Sequence, residues 1–342
     1  MIPIDARSWE TQKHPQTVLR IHSIVEKRVS RRRTLRSVAF LTVALLVTGC
    51  TNSKLIIGPL YNRLDDQMRT EFHKLGDFNK SQVQAFEQSV GTFHVWHRQS
   101  EMPKYAAFLG EIAQSVGEKG ATRQADVDRW ADNLEQFFTN FRQCHPINYS
   151  TELIRSLSDK QIDFIEQRFN SERKKNQERY AGQTQDERVE RRLKNIVKWS
   201  DRLGLNLSSA QQDILKDSLA QQVSLRKEYY ALSSEWNKHF FLLARNQENP
   251  EYHEALLKHI STLWTLLEIA HPEEWQSIRD LWRSTTLTLV STFSQQQRNF
   301  TRKWLSKMAK TIDAISRDHP SFNVSNDPSI GCLVKQNDLS SG

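Results

Sequence analysis

Apolar residues recur along this chain in steps of three and four. Val83, Phe86, Val90, Phe93 and His97 follow that rhythm, and so do Val127, Trp130, Leu134, Phe137, Phe141 and Cys144. Such spacing places side chains on one face of an α-helix. Tyr105, Phe108, Leu109, Ile112 and Val116 make a stripe behind Pro103, and Val189, Leu193, Ile196, Val197 and Leu203 make another. The longest helix is expected over 209–246, with Leu215, Leu219, Val223, Tyr229, Leu232, Trp236, Phe240 and Leu243 inward. Pro272, followed by Glu273 and Glu274, is expected to open the final helix, because proline suits the first helical position and acids suit the first turn. Its inward stripe is Trp275, Ile278, Trp282 and Leu289. No segment alternates with period two for long enough to argue a sheet. The expected class is all-α, an irregular bundle of about eight or nine helices over residues 60–316.

Helix starts carry a recurrent signature. Asn79 with Gln82, Ser158 with Gln161, Thr184 with Glu187, Ser208 with Gln211 and Ser294 with Gln297 all fit the capping box, in which each side chain serves the other's backbone amide. Phe78 with Val83 and Leu157 with Ile162 add a hydrophobic staple. The spacing between boxes is irregular, which argues against a repeat solenoid. Five helix starts are thereby expected, the last box either opening a helix or lying inside a longer one. Residues 170–179 are polar on every side, so that half-helix is expected to project from the bundle.

The segment before residue 50 has a different character. Arg31, Arg32, Arg33 and Arg36 precede a largely apolar run over 37–48, then Gly49 and Cys50. This is the order of a secretory signal, and the run is shorter than the roughly 20 residues that span a bilayer. Val47-Thr48-Gly49-Cys50 resembles the lipobox of bacterial lipoproteins, which implies cleavage after Gly49 and acyl chains such as palmitate on Cys50. Thr51, where an aspartate would favour inner-membrane retention, points to the outer membrane. Residues 1–49 are the expected leader, 50–59 a lipidated tether and 317–342 a disordered tail rich in Pro, Ser, Asn and Asp. Residues 1–28 make the leader unusually long, so translation is expected to begin near Val29. Ser30 to Arg36 also resembles a twin-arginine export signal, except that Thr34 stands where phenylalanine is usual.

The net charge of +8 first invites a nucleic-acid reading. Nine basic and three acidic residues fall in the first 49, leaving 39 against 37 in the rest. The excess belongs to the leader, and no nucleic-acid partner is expected. Of the three cysteines, Cys50 is assigned to lipid, and Cys144 and Cys332 could pair in an oxidising periplasm or stay reduced.

Candidate chemistry is sparse. Trp96, His97, Arg98 and Glu101 gather the most functional side-chain types in one place; His97 could act as general base beside Glu101, with Arg98 holding an anion. The plainer reading is a core histidine, with Trp96, Pro103 and Tyr105 shaping a helix corner. His94 and His97, with His73 nearby, do not complete a metal set. His253-Glu254 with His259 has the wrong spacing for a zinc-protease helix, and Asp126, Asp128 and Asp132 lack the glycine and glutamate of a calcium loop. No cofactor is implied. Residues 172–202 hold ten basic and six acidic side chains, a candidate contact for anionic lipid or simply a solvated face.

Three stretches carry a family resemblance: Tyr61-Asn62-Arg63-Leu64-Asp65-Asp66, the capped helix at Asn79, and Trp96-His97-Arg98-Gln99-Ser100-Glu101-Met102-Pro103-Lys104-Tyr105. They resemble an uncharacterised group of Gram-negative lipoproteins sharing a domain of unknown function, with a lipobox, a Trp-His-Arg and Leu-Pro-x-Tyr signature and Thr-Pro-Glu-Gln-like helix starts. Met102 departs from the leucine of that signature. The resemblance implies an envelope location and a helical fold, and no chemistry. The leading expectation is therefore a non-catalytic, lipid-anchored binding or structural component of the cell envelope. The alternatives are a periplasmic hydrolase using His97, Glu101 and Arg98, and a bundle that takes up small apolar ligands.

Overall fold

The computed structural model describes residues 58, 61, 63–118, 120 and 122–317. The leader, Gly49, Cys50, nearly all of the tether, Cys332 and the rest of the tail lie outside the described residues. α1 (Leu64–His73) leads into α2 (Lys80–Trp96), which runs through a π-helical turn (His97–Glu101) into α3 (Met102–Gly117). α4 (Gln124–Cys144), a 3₁₀ turn (Pro146–Tyr149) and the short α5 (Thr151–Arg155) come next, then α6 (Asp159–Ala181) and α7 (Gln185–Leu203). The second half holds α8 (Ser209–Gln221), α9 (Arg226–Arg245), α10 (Tyr252–Ser261), the short α11 (Leu266–Ala270), α12 (Pro272–Ser291) and α13 (Gln295–Arg317). The all-α class is as the sequence implies, with eleven helices of ten residues or more among the described residues.

The capping boxes explain where helices begin, and the structure adds what the spacing hides. All four boxes at Asn79, Ser158, Thr184 and Ser208 are formed. Of the two expectations for the fifth, the helix start is the one observed: Ser294 N–H donates to Gln297 Oε1 at 2.9 Å and Gln297 N–H to Ser294 Oγ at 3.2 Å. Four of the five then join in pairs. Gln82 and Gln161 exchange side-chain amide bonds at 3.2 and 2.9 Å, while Gln82 Nε2 also donates to Ser156 O and Gln161 Nε2 to Asp77 O. Gln211 and Gln297 repeat the arrangement at 3.0 and 2.8 Å, reaching Thr292 O and Asn206 O. Each of these four carbonyls lies two residues before the other helix's N-cap, and Gln297 Nε2 also reaches Leu205 O at 3.3 Å. Each glutamine thus caps its own helix and pins the loop that leads into its partner's.

The expected 209–246 helix is broken at 222–225, where Gln222 is extended at φ −65°, ψ 120°. The two halves have different neighbours: α8 packs on α7 and α12, α9 on α6, α10 and α11. One straight rod could not serve both groups. The break leaves Val223 45% exposed and turns Leu225 inward at 8%. The helix at Pro272 is α12, and α13 follows it, so the final helix is the one that starts at Gln295. Residues 170–179 also depart from expectation: α6 is continuous, and the Tyr180 ring at its end is covered by the guanidiniums of Arg226 at 4.3 Å and Arg191 at 5.3 Å. The end of the polar half is clasped instead of projecting freely.

Two apolar clusters anchor the packing. One joins Ile154 and Ile162 to Phe241, Ala244, Tyr252, Leu256 and Ile260; the other joins Phe108, Val116, Val127 and Trp130 to Val290 and Phe293. α13 lies along α3 and the π-turn. Arg298, 2% exposed, sits where three helix ends meet and donates to the carbonyls of Val116, Glu118, Val290, Ser291 and Phe293. These include last-turn groups of α3 and α12 that have no partner within their own helix.

A candidate functional site at the π-turn

Pro103 has no N–H, and its ring crowds the carbonyl four residues back. The chain meets that demand by widening: Met102 N–H reaches back five residues to His97 O. Helical backbone therefore continues from α2 into α3, and the helix corner expected at Pro103 is absent. Turns of this kind often occur at functional sites. This one turns His97, Arg98 and Glu101 inward, at 3%, 3% and 0% exposure.

Their partners are close at hand. The Tyr61 hydroxyl and His97 Nδ1 share a hydrogen bond of 2.8 Å, and the Tyr61 ring stacks on His94 and His97. Arg98 lies over that ring, 4.8 Å from its centroid, and donates to Ile315 O at 2.6 Å, near the end of α13. Glu101 accepts from Lys104 at 2.8 Å and from Asn140 at 3.2 Å. Phe93 and Tyr105 complete the walls around the His97 ring. Burial, reinforced by His94 and Arg98, lowers the His97 pKa to about 3. Burial, with Glu101 and Tyr61 adding to it, raises the Tyr105 phenol above its ordinary range. His97 is accordingly neutral at pH 7.

This arrangement brings His97, Arg98 and Glu101 onto one turn but does not wire them for proton transfer. No hydrogen bond links His97 to Glu101 among the described residues; each is taken by a different neighbour. Arg98 serves the end of α13 and stacks on a ring, so its guanidinium is committed to structure. Tyr61 and Asn140, which complete the cluster, carry no sequence mark beyond the resemblance around Tyr61.

The other candidates have structural roles or lie elsewhere. No group of three metal-binding side chains occurs among the described residues. His259 Nε2 donates to Trp236 O at 2.9 Å, its ring stacks on the Trp236 ring and its Nδ1 approaches His239 Nδ1 at 3.2 Å, while His253 is exposed. The carboxylate of Asp126 accepts from Arg123 N–H and from Arg129, which hold its pKa below the usual range. Asp128 and Asp132 face Arg283. In the 172–202 region, Arg188, Arg191 and Arg192 hydrogen-bond glutamine side chains and Lys175 pairs with Glu172. Cys144 is buried and disulfide-bonded; Cys50 and Cys332 lie outside the described residues.

A second feature is a cleft of about 610 Å³ along α4 and α12. Val127, Trp130, Leu134 and Phe138 supply one wall, and Trp275, Ile278 and Trp282 the other. The expected core stripe of α12 is thus only half-buried, because it faces this cleft instead of a packed neighbour. The indole N–H of Trp130 has no hydrogen-bond partner among the described residues.

Residues 74–268 match the family model of DUF6279, described as a family of unknown function. No curated protein matches the chain, and no solved structure does.

Proposed function

This chain belongs to the DUF6279 family, a family of unknown function, and from that premise we propose that it is a lipid-anchored helical component of the bacterial cell envelope. In this reading the leader is cleaved after Gly49, Cys50 carries acyl chains, and the helical body faces the periplasm from the outer membrane. The body binds or braces other envelope components and catalyses nothing. The observation that carries the non-catalytic part is the closure of the His97 cluster. A general base needs a free nitrogen within reach of substrate, whereas His97 is buried, bonded to Tyr61 and walled by rings. Support for the anchor comes from the basic and apolar leader ending in Val47-Thr48-Gly49-Cys50. No described helix is long and apolar enough to cross a membrane.

Metabolic labelling with palmitate tests the anchor: the label is expected on the wild-type chain and absent from Cys50→Ser. An unlabelled wild type, or an exported chain that still begins upstream of residue 50, overturns it. The non-catalytic reading predicts that a folded His97→Gln protein retains its cellular role, and loss of that role with the fold intact would favour the hydrolase. Cys144 is disulfide-bonded, and with Cys50 acylated only Cys332 remains to pair with it. The intact mass should then rise by about 2 Da on reduction.

The cleft favours a second reading, in which the body takes up small apolar ligands. Its volume falls in the range of ligand sites, and unpaired buried donors such as the Trp130 N–H are uncommon in a finished core. Native mass spectrometry of the purified chain should show a bound lipid-sized adduct that Ala131→Trp, which narrows the cleft, removes.

A further inference from the structure

The anchor and the surface of α13 meet at one end of the body. A Cβ on Gly58 would stand 3.9 Å from Ile315 Cγ1, so the end of the tether lies against the last turns of α13. Tyr61, three residues further on, is held there by His97 and by Arg98, which itself grips Ile315 O. Eight residues separate Cys50 from Gly58, a reach of at most about 28 Å when extended. A membrane holding Cys50 is therefore within that distance of Gly58, which itself lies beside Ile315.

The exposed side of α13 next to this point is strongly basic. Arg302, Lys303, Lys307 and Lys310 are exposed and line one shallow groove with Ser306, Thr311 and Ala314. Lys303, Lys307 and Lys310 follow one another at four and three residues and so share a face. None of the four cations makes an ion pair or hydrogen bond to another described residue, although nineteen Lys or Arg ion pairs occur elsewhere among the described residues. The acid on this part of the helix, Asp313, is taken by Arg317. At 1.5 Å per residue, the strip begins about 8 Å from Ile315 and ends about 20 Å from it, inside the span that the tether allows.

We infer that the 302–310 face of α13 is the body's membrane-facing surface and docks on the anionic phosphate headgroups of the bilayer that holds Cys50. The inference rests on the lipid-anchor reading. It differs from the sequence analysis, which offered 172–202 as a candidate lipid contact or a solvated face; there Lys175, Arg188, Arg191 and Arg192 already have acid or amide partners. Each lysine close to an anionic surface strengthens binding about fivefold, so four unpaired cations beside the tether fix which side of the body lies down.

The test uses the full acylated chain as cells produce it. It is reconstituted on vesicles of phosphatidylcholine alone and on vesicles containing about one third phosphatidylglycerol, and its lysines are acetylated in a brief pulse. Acetylation of Lys303, Lys307 and Lys310, read by peptide mass spectrometry, is expected to fall about threefold or more on the anionic vesicles and to recover in about 0.5 M salt. Lys194 and Lys198 should react equally on both. Equal labelling of the α13 lysines on the two vesicle types overturns the docking surface, as does protection confined to Lys194 and Lys198. A chain that fails to float with the neutral vesicles overturns the anchor itself, and the docking surface with it.

Discussion

Glutamine at the third position of a capping box does something that glutamate cannot. A carboxylate only accepts, whereas an amide accepts the N-cap N–H with its oxygen and still has two donor hydrogens. Gln82, Gln161, Gln211 and Gln297 use those donors on each other and on the opposite loop. Glu187, which has no donor, caps its helix alone. Gln211→Glu should therefore keep the cap but lose the clasp, destabilising the body by about 2 kcal/mol. Gln297→Ala measured with and without it should show strong coupling, whereas the same cycle with Glu187→Ala should be additive. Denaturant titration decides both. The helix starts were legible because capping is local chemistry. Their pairing joins residues 79 and 86 apart, although the phrase apolar–Asn/Ser–x–x–Gln marks the four that pair and sets apart Gln183-Thr184-x-x-Glu187. His97 was legible as an inward residue, but its partner Tyr61 was not, because the pairing depends on how the chain enters the body. Its depressed pKa has a pH consequence. The unfolded chain binds a proton near pH 6.5 and the folded chain only near pH 3, so stability is intact above pH 6.5 and drains away as pH falls toward 3. His145, lowered to about 4 by burial, acts in the same sense. Melting temperature should fall between pH 7 and 4, with a shallower slope in a folded His97→Gln variant.

Helix ends, more than helix faces, hold the elements together. Arg298 closes the last turns of α3 and α12 from the first turn of α13, and Arg98 closes the last turns of α13 from the π-turn. The two arginines therefore work at opposite ends of the α3–α13 pair. Arg298→Met retains much of the packing volume but strands several carbonyls, and a loss of about 3 kcal/mol or more is expected by thermal unfolding. The sequence marks Arg98 only as a candidate anion holder and Arg298 not at all, since a capping arginine and a solvated one look alike until the helices are docked. The break at 222–225 escaped for a related reason: it contains neither glycine nor proline, and what bends the chain there is the difference between the neighbours of α8 and α9. The half-buried Trp275, Ile278 and Trp282 had a helical period indistinguishable from that of a core stripe.

Across the whole molecule, the entry of the chain at Gly58 and Tyr61 is latched to its exit at Ile315. A chain ending at residue 310 would lose Ile315 and the far side of that latch, while one ending at 317 would keep it. Limited proteolysis should cut near residues 58–63 much faster in the shorter form, with the longer form resembling the full chain.

The paired glutamines also impose an order on assembly. A chain delivered amino end first has both members of its first clasp once residue 161 has arrived. It must then wait for residue 297, so Gln211 caps its own helix but stays without its partner through most of the second half. Until that late arrival the loop ahead of Ser208 lacks the donors that Gln297 brings to Leu205 O and Asn206 O, and a chain halted anywhere before residue 297 is handed over with its second clasp open.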